Sequence, residues 1–209
     1  MAPEASTRTC VDRDTRTNVD VEAAVAMTLV LMRGRDLIGR PVVDANGDDV
    51  AEIRDIIFDA ASGTITGFTL SKRGFLGRRK HHVLALADVL AVGTDAVMIA
   101  SEHRLLAPDD SPNDMKAEGS SDVLQDQVIT ESGRNLGVVQ DVIILGGVAP
   151  RVVGFEVDEG PSGRGLIPIG AATAMSGSSL VVPDSFETRI RQDLTGLAAE
   201  LALIEQGLR

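Results

Sequence analysis

Short runs of apolar residues alternate with turn-forming residues along most of the chain, a pattern that suits β-strands. The segments between residues 37 and 70 are filled by Val, Ile, Phe and Thr, which favour extended backbone. Asn46-Gly47 predicts a two-residue hairpin turn of type I′, because both central positions of that turn need a positive φ. Ser62-Gly63 marks a further turn. The pattern therefore predicts a mainly β protein.

The same pattern occurs twice, first over residues 37–70 and again over residues 123–157. In both copies an aspartate lies eight positions after the turn glycine. The aligned pairs are Gly47 with Gly133, Asp55 with Asp141, and Gly67 with Gly154. Each copy continues with further strand-like segments, which gives about five or six strands in about 65 residues. Strands of this number and length predict a small closed or partly closed barrel, since closure removes exposed strand edges.

Local changes in amino-acid composition predict the boundaries of the domains and linkers. Its start is rich in Thr, Arg and Asp without hydrophobic periodicity, and a stretch rich in Pro, Asp and Ser separates the two copies. The predicted parts are a disordered arm (1–26), a first barrel domain (27–106), a linker (107–121), a second barrel domain (122–183) and a C-terminal helix (184–209). Met1 and Met27 are both candidate translation starts.

The C-terminal part shows helical periodicity. Asp184 or Ser185 is the candidate N-cap, and Glu187 follows Asp184 at the spacing of a capping box. Apolar residues then recur at steps of four and three, which predicts a narrow seam on a helix of about 20 residues. The seam consists of Ile190, Leu194, Leu197, Leu201, Ile204 and Leu208. Two hypotheses follow: the seam packs on its own barrel, or it pairs with a second copy in a homodimer.

Five segments resemble a known family. They are D36-L-I-G-R-P-V-V-D-A-N-G, I53-R-D-I-I-F-D, I65-T-G-F-T-L, G74-F-L-G-R-R-K and V83-L-A-L-A-D-V. Their order resembles the PRC-barrel family, small β-barrel domains also found in the photosynthetic reaction centre H subunit and in the ribosome-maturation factor. The resemblance covers about residues 32–104 and, more loosely, about residues 120–183. It implies two tandem six-stranded β-barrels that serve as interaction modules and share no common catalytic residue.

Charge and composition narrow the function. The formal net charge of -11 disfavours general nucleic-acid binding, because counterion release needs a basic surface. Aromatic residues make up only 2% of the chain, without Trp or Tyr, so stacking on bases is poorly supplied. The single cysteine, Cys10, excludes an intramolecular disulfide and suits a reducing compartment.

No secretory signal is visible in the first 20 residues. The apolar run from Ala23 to Met32 is about half the ~20 residues that a membrane-spanning helix needs. We therefore expect a cytoplasmic bacterial protein, with peripheral contact to the inner face of the plasma membrane as an open alternative.

The segment from Lys72 to His82 is strongly basic: five of its eleven residues are Lys or Arg. Its position between two predicted strands indicates a hairpin turn. Its apolar tip, Phe75-Leu76, also suits a docking loop whose cations attract an acidic partner or an anionic membrane. The corresponding loop of the second copy, residues 158–165, keeps the glycines and lacks that tip. The predicted partner-binding residues are Lys72, Arg73, Phe75, Leu76, Arg78, Arg79, Lys80 and His82.

Asp55 and Asp141 are the polar residues whose placement invites a catalytic interpretation. Strand alternation places Asp55 on one face with Ile53 and Ile57. It places Asp141 with Val139 and Ile143 in the same way. We interpret both as carboxylates that accept backbone N–H groups at a strand bend, since the two lie in different barrels.

The remaining motifs predict neither catalysis nor a metal or cofactor. His81 and His82 are neighbours on a strand and point to opposite faces, and no cysteine cluster supports them or His103. The chain contains no phosphate loop or nucleophile elbow. We assign structural roles to Gly47, Asp55, Gly67, Gly133, Asp141 and Gly154.

The sequence thus favours a non-enzymatic adaptor that recruits a protein partner through the basic loop. One alternative is an accessory subunit of a membrane electron-transfer or photosynthetic complex, which rests on family analogy. Another is a ribosome or RNA assembly factor, which the acidity and the scarcity of aromatic residues disfavour.

Overall fold

The computed structural model describes residues 31–59, 64–72, 80–106, 123–158, 160, 163–169, 174–176 and 179–205. These residues form mainly β-structure, as the sequence pattern predicts. The predicted arm (1–26) and linker (107–121) lie outside them.

Thirteen strands run through the described residues. The first seven are β1 (Leu31–Arg33), β2 (Pro41–Val43), β3 (Asp49–Asp59), β4 (Thr64–Lys72), β5 (Lys80–Ala85), β6 (Val89–Val92) and β7 (Val97–Ile99). The next six are β8 (Gln127–Thr130), β9 (Asn135–Leu145), β10 (Arg151–Asp158), β11 (Arg164–Pro168), β12 (Ala174–Ser176) and β13 (Ser179–Val182). The helices are α1 (Gly34–Leu37), α2 (Leu194–Glu205) and the 3₁₀ turns Leu86–Asp88, Glu102–Arg104 and Asp184–Thr188.

The strands form two sheets of the same topology. The first sheet has the order β5-β4-β3-β2-β7-β6, and the second has the order β11-β10-β9-β8-β13-β12. In each sheet one neighbouring pair is parallel, β2 with β7 and β8 with β13. We call β2–β7 the first repeat and β8–β13 the second repeat. The shared order confirms the internal repeat and the two six-stranded units.

Backbone conformation repeats as well. Gly47 and Gly133 both have a positive φ, +90° and +84°. A second aligned pair, Gly39 and Gln125, has φ values of +82° and +77°. A side chain in this conformation costs about 1–2 kcal/mol, so the fold demands the same local bend where the second repeat lacks a glycine.

The short strand β1 joins the two repeats. It precedes the first repeat in sequence, yet it pairs antiparallel with β9 of the second, with Leu31 opposite Leu145. Gly34 follows and lies between the repeats: a Cβ there would be 2.7 Å from Val142 Cγ2 and 3.3 Å from Ile56 Cδ1. A side chain at this position would force Val142 and its neighbours to move. Residues at the start of the described chain therefore pack directly on the second repeat.

One apolar core extends through both repeats. Phe68 and Phe155 occupy equivalent positions in β4 and β10, and both are fully buried in it. At the junction Val92 and Gly147 exchange two backbone hydrogen bonds of 2.9 and 2.7 Å. The repeats are therefore packed as a single unit.

The hairpin at Asn46-Gly47 differs from the predicted type I′ turn. The Asp44 N–H donates to the Asp48 carbonyl and the Gly47 N–H donates to the Asp44 carbonyl, each at 3.0 Å. Within this loop only Gly47 has a positive φ. The loop is thus a three-residue hairpin with a left-handed glycine at its end, so the prediction was right in position and wrong in turn type.

The C-terminal helix also begins later than predicted, at Leu194. Its N-cap is Asp193, whose Oδ1 accepts the Gly196 N–H at 2.7 Å. Asp184 accepts the Ser132 N–H at 3.0 Å instead, so the predicted capping box was wrong. The shorter α2 starts where a carboxylate can satisfy its first free N–H groups.

Candidate docking site on the first repeat

The predicted docking loop joins β4 to β5. Lys72 and Lys80 are Cα partners at the end of the β4–β5 ladder, so the loop connects a hairpin. At its base Lys72 forms an ion pair with Glu102 of a 3₁₀ turn. The predicted residues that lie outside the described residues are Arg73, Phe75, Leu76, Arg78 and Arg79.

A cleft of about 300 Å³ opens at the base of this loop, and we call it the first cleft. It is lined by Asp48, Asp49, Val50, Ala51, Glu52, Ser71, Lys72 and Glu102. Its described lining contains four acidic residues and one lysine. An acidic recess therefore adjoins the root of a strongly basic loop.

The second repeat has a cleft of about 550 Å³ in the equivalent place, the second cleft. Both clefts lie between the start of a long strand, the end of the next strand and the 3₁₀ turn that follows the last strand. In the second cleft Arg134 Nη1 pairs with Glu187 at 2.6 Å, so the charges are more balanced. It is lined by Arg134, Asn135, Leu136, Gly137, Val138, Asp158, Gly160, Glu187 and Ile190. Both repeats thus have a cleft at the same position, whereas the charge of its lining differs between them.

His82 lies on β5 opposite Leu70, at the inner side of the hairpin. Its Nδ1 is enclosed and has no hydrogen-bond partner in the described part of the chain. His103 is exposed and lies in the 3₁₀ turn beside the first cleft. No group of three His, Cys, Asp or Glu residues within the described ranges has the geometry of a metal site.

β-Bulges alter the strand faces that were predicted for the two aspartates. In β3 the register shifts between Ile53 and Asp55, so Asp55 shares its face with Ile57 and not with Ile53. The equivalent shift in β9 separates Asp141 from Val139 in the same way.

Both aspartates satisfy a backbone donor at these bulges. Asp55 Oδ1 accepts the Ile56 N–H at 2.8 Å, and Asp141 Oδ1 accepts the Val142 N–H at the same distance. A bulge interrupts the ladder and leaves a donor to be satisfied, so a carboxylate at this position has a structural reason.

A cluster of charges at the junction of the repeats was not predicted from the sequence. Glu156 of β10 is the Cα partner of Asp141 and is only 1% exposed. Arg33 Nε donates to Glu156, as do Arg35 Nη2 at 3.1 Å and Arg164 Nη1 at 3.3 Å. We call these five residues the junction cluster. Its arginines come from the segment before the first repeat and from the second repeat, so the charges tie the two together.

The pKa values of the two buried acids, Glu156 and Asp141, are shifted in opposite directions. Burial alone would raise the pKa of Glu156, but Arg33 and Arg35 outweigh it and hold this pKa below its ordinary value. Burial raises the pKa of Asp141, and the N–H groups of Arg35 and Val142 offset this only in part.

The seam of α2 lies on the second repeat. Leu197 and Leu201 are buried there, and Leu194 is partly buried beside them. Ile204 is also partly buried, whereas Ile190 precedes α2 and packs against the main core. The apolar cluster that contains Leu194, Leu197 and Leu201 also includes Leu31, Ile143, Leu145, Val153 and Leu166. This arrangement is the intramolecular alternative for the seam; the homodimer stays a hypothesis.

Glu200 lies beside the apolar seam of α2, three residues after Leu197. It is 1% exposed and pairs with Arg191, with Arg189 Nε at 3.8 Å. Arg191 also exchanges two backbone hydrogen bonds with Leu166 of β11. The segment before α2 is therefore tied both to the sheet and to the helix.

The predicted structural glycines have distinct roles. Gly67 is the ladder partner of Ile57, and Gly154 is the ladder partner of Ile143. A Cβ at Gly154 would be 2.6 Å from the Ile167 carbonyl oxygen, so no side chain fits there without movement of the backbone.

Comparison with known proteins identifies the same family in both repeats. The family model described as PRC-barrel domain matches residues 30–106 and matches again over residues 115–188. No curated protein matches the chain. Within the described residues no helix has the length and apolar character that crossing a bilayer requires.

Proposed function

Because this chain belongs to the PRC-barrel family, we propose that it is a non-enzymatic adaptor that docks a protein partner through the loop joining β4 to β5. In this proposal Phe75 and Leu76 anchor the partner, and Arg78, Arg79 and Lys80 attract it. The protein acts in the cytoplasm, where its partner exposes an acidic surface.

The difference between two copies of one hairpin carries the proposal. The ladders β4–β5 and β10–β11 are equivalent, so both connections close the same kind of hairpin. The second connection is D158-E-G-P-S-G-R164, whose sequence contains no aromatic residue and no leucine. A hairpin in this fold therefore needs neither the cations nor the apolar tip of the first loop, and their presence supports a role in binding.

The charges around the first cleft support a choice of partner. Glu102 pairs with Lys72, while Asp48, Asp49 and Glu52 also line the recess. A basic loop next to an acidic recess favours a partner whose acidic patch adjoins a basic one. Such complementarity fixes the orientation of the partner as well as attracting it.

A crosslinked pull-down from native cells, with the membrane fraction retained, tests the proposal. The bait is the natural chain beside a variant with Phe75, Leu76, Arg78, Arg79 and Lys80 changed to Ser. We expect one protein to be captured by the natural chain and lost with the variant. Capture of the same proteins by both baits would refute docking through this loop.

The salt dependence of capture separates the other candidate functions. Binding to nucleic-acid phosphates weakens steeply with salt because counterions are released, whereas a contact anchored by Phe75 and Leu76 weakens less. Capture that survives nuclease and detergent argues for the protein partner. Capture that needs intact vesicles of anionic lipid would favour the membrane alternative.

A further inference from the structure

The hairpin loop between β2 and β3 places a chemically reactive pair of residues at the surface. Asn46 and Gly47 are both exposed, and Gly47 has no side chain to shield its nitrogen. Asp44 lies beneath them and is 5% exposed. The loop therefore presents an Asn-Gly bond to water above a buried carboxylate.

Asp44 accepts hydrogen bonds from both nitrogens of the reaction, the attacking backbone nitrogen of Gly47 and the leaving amide nitrogen of Asn46. Its carbonyl oxygen accepts the Gly47 N–H at 3.0 Å, and its Oδ2 accepts the side-chain amide Nδ2 of Asn46 at 3.1 Å. Its Oδ1 accepts the backbone N–H groups of Asn46 at 2.9 Å and of Asp48 at 3.0 Å. The carboxylate and carbonyl of one residue thus restrain the whole loop.

The reaction open to this pair is cyclisation followed by hydrolysis. The Gly47 nitrogen loses its proton to solvent and attacks Asn46 Cγ, so a new C–N bond forms. The bond from Cγ to Nδ2 breaks, and ammonia leaves after taking a proton from water. A second water molecule then opens the cyclic imide at either carbonyl, which gives aspartate or isoaspartate. The balance is asparagine and water to aspartate or isoaspartate and ammonia.

We propose that Asn46 is a site of spontaneous deamidation and that Asp44 sets its rate by restraining the attacking nitrogen and the leaving amide. Attack requires the Gly47 N–H to leave its hydrogen bond and the Asn46 side chain to leave Asp44 Oδ2. The nearby carboxylate also disfavours the amide anion, because like charges repel. The folded loop therefore slows a reaction that its sequence favours.

The second repeat supplies the control. Its loop has the same shape, with the Gly133 N–H donating to the Thr130 carbonyl at 2.8 Å. Thr130 stands where the first repeat has Asp44, and its Oγ1 accepts the Arg134 N–H at 3.1 Å. Ser132 stands where the first repeat has Asn46. Asp44→Thr and Asn46→Ser therefore introduce side chains that this loop already accommodates.

Deamidation would change the first cleft. A carboxylate at residue 46 would stand beside Asp48 and Asp49, which line the cleft. Isoaspartate would also lengthen the backbone by one carbon and break the hydrogen bond from Gly47 to Asp44. The reaction thus adds negative charge to the hairpin that leads into the first cleft, and the equivalent loop of the second repeat, which has Ser132 in place of Asn46, cannot react in this way.

The test follows the gain of one mass unit in the peptide containing Asn46 during incubation of the full chain at mildly alkaline pH. We expect the folded natural chain to react about tenfold more slowly than the same chain in denaturant, since the protecting bonds must open first. Asp44→Thr should raise the folded rate several-fold, and Asn46→Ser should abolish the mass change. Asn135, which precedes the bulky Leu136, serves as the slow internal reference.

Equal rates in the folded natural chain and in denaturant would overturn the proposal, as would equal folded rates for the natural chain and Asp44→Thr. It would also be overturned if Asn46 reacted no faster than Asn135 in denaturant. Asp44→Asn keeps the shape of the side chain and provides a second folded variant if Asp44→Thr proves unstable by circular dichroism. The Asn variant is expected to react faster than the natural chain because the charge is lost.

Discussion

Replacing Glu156 with Gln removes the central negative charge of the junction cluster and keeps the shape of the side chain. Glu156 is 1% exposed and receives hydrogen bonds from Arg33, Arg35 and Arg164. Glu156→Gln removes the negative charge and replaces one of the two accepting oxygens by an NH2 group, so the ion pairs are lost and arginine N–H groups that bonded to that oxygen lose their acceptor. The variant therefore measures what the junction charges contribute to stability.

The magnitude follows from the exposure of the three arginines. A hydrogen bond to a charged group contributes about 1.5–3 kcal/mol to stability. The side chains of Arg33, Arg35 and Arg164 are 29%, 47% and 61% exposed, so water can solvate them again after the change. We therefore expect the free energy of unfolding to fall by about 2 kcal/mol, near the lower end of that range.

Urea unfolding followed by far-ultraviolet circular dichroism measures this loss, because the chain contains no Trp or Tyr for fluorescence. With a slope of about 2–3 kcal/mol per molar urea, the midpoint should fall by about 1 M. Glu187→Gln is the control, since its partner Arg134 is 69% exposed and the expected loss is below about 1 kcal/mol. An unchanged midpoint for Glu156→Gln would refute the assigned role of the cluster.

The pH dependence provides a second check on the same variant. The pKa of Glu156 is lower in the folded chain than in the unfolded chain. Its carboxylate therefore adds stability that is fully present above the unfolded value of about 4.5 and is lost as the pH falls through the folded value. The difference between the natural chain and Glu156→Gln should be largest near neutral pH and should shrink in acid.

Three further changes have expected outcomes. Asp141→Asn should lower the free energy of unfolding least near neutral pH and more in acid. The pKa of Asp141 is raised in the folded chain, so its protonation stabilises the folded state as the pH falls. Urea midpoints at several pH values check this. Leu197→Ala should lower the unfolding free energy by about 3 kcal/mol at unchanged solution mass, measured by light scattering, whereas a halved mass would favour the homodimer. Gly154→Ala should lower the melting temperature, because its Cβ would lie 2.6 Å from the Ile167 carbonyl oxygen; an unchanged value would contradict that packing.

Local sequence patterns predicted the strands, the turns and the internal repeat, because these features depend on residues close together in the chain. The apolar runs and the turn dipeptides located the strands, and the spacing from Gly47 to Asp55 and from Gly133 to Asp141 revealed the repeat. The turn at Asn46 was placed correctly, but its turn type was predicted wrongly. The sequence does not show that the Asp44 carboxylate accepts three N–H groups and so favours a three-residue loop.

Long-range pairings could not be predicted in the same way. Arg33 and Arg35 lie 123 and 121 residues before Glu156, and no local pattern links them. The one available signal was Glu156 itself, an acid between Phe155 and Val157 in an apolar strand, which indicates a buried charge in need of partners. Likewise β1 contains only three residues, too few for its pairing with β9 to be predicted.

The site is predictable to different degrees in its two parts. The basic loop stands out in the sequence by charge and by contrast with the second copy. The first cleft at its base does not, because it is formed by Asp49 of β3, Lys72 of β4 and Glu102 of a later turn, which only the fold brings together. Sequence therefore identified the hairpin, and the structure identified the acidic recess beside it.

An exchange of the two loops tests the central claim most directly. In one variant residues 159–163 of the second repeat replace residues 73–79, and in the reciprocal variant the basic loop replaces the second one. Crosslinked capture of the partner is measured for both variants beside the natural chain. The account predicts that the first variant loses the partner and that circular dichroism shows the same folded content as the natural chain. Undiminished capture by that folded variant would contradict the claim that the first repeat docks its partner through this loop.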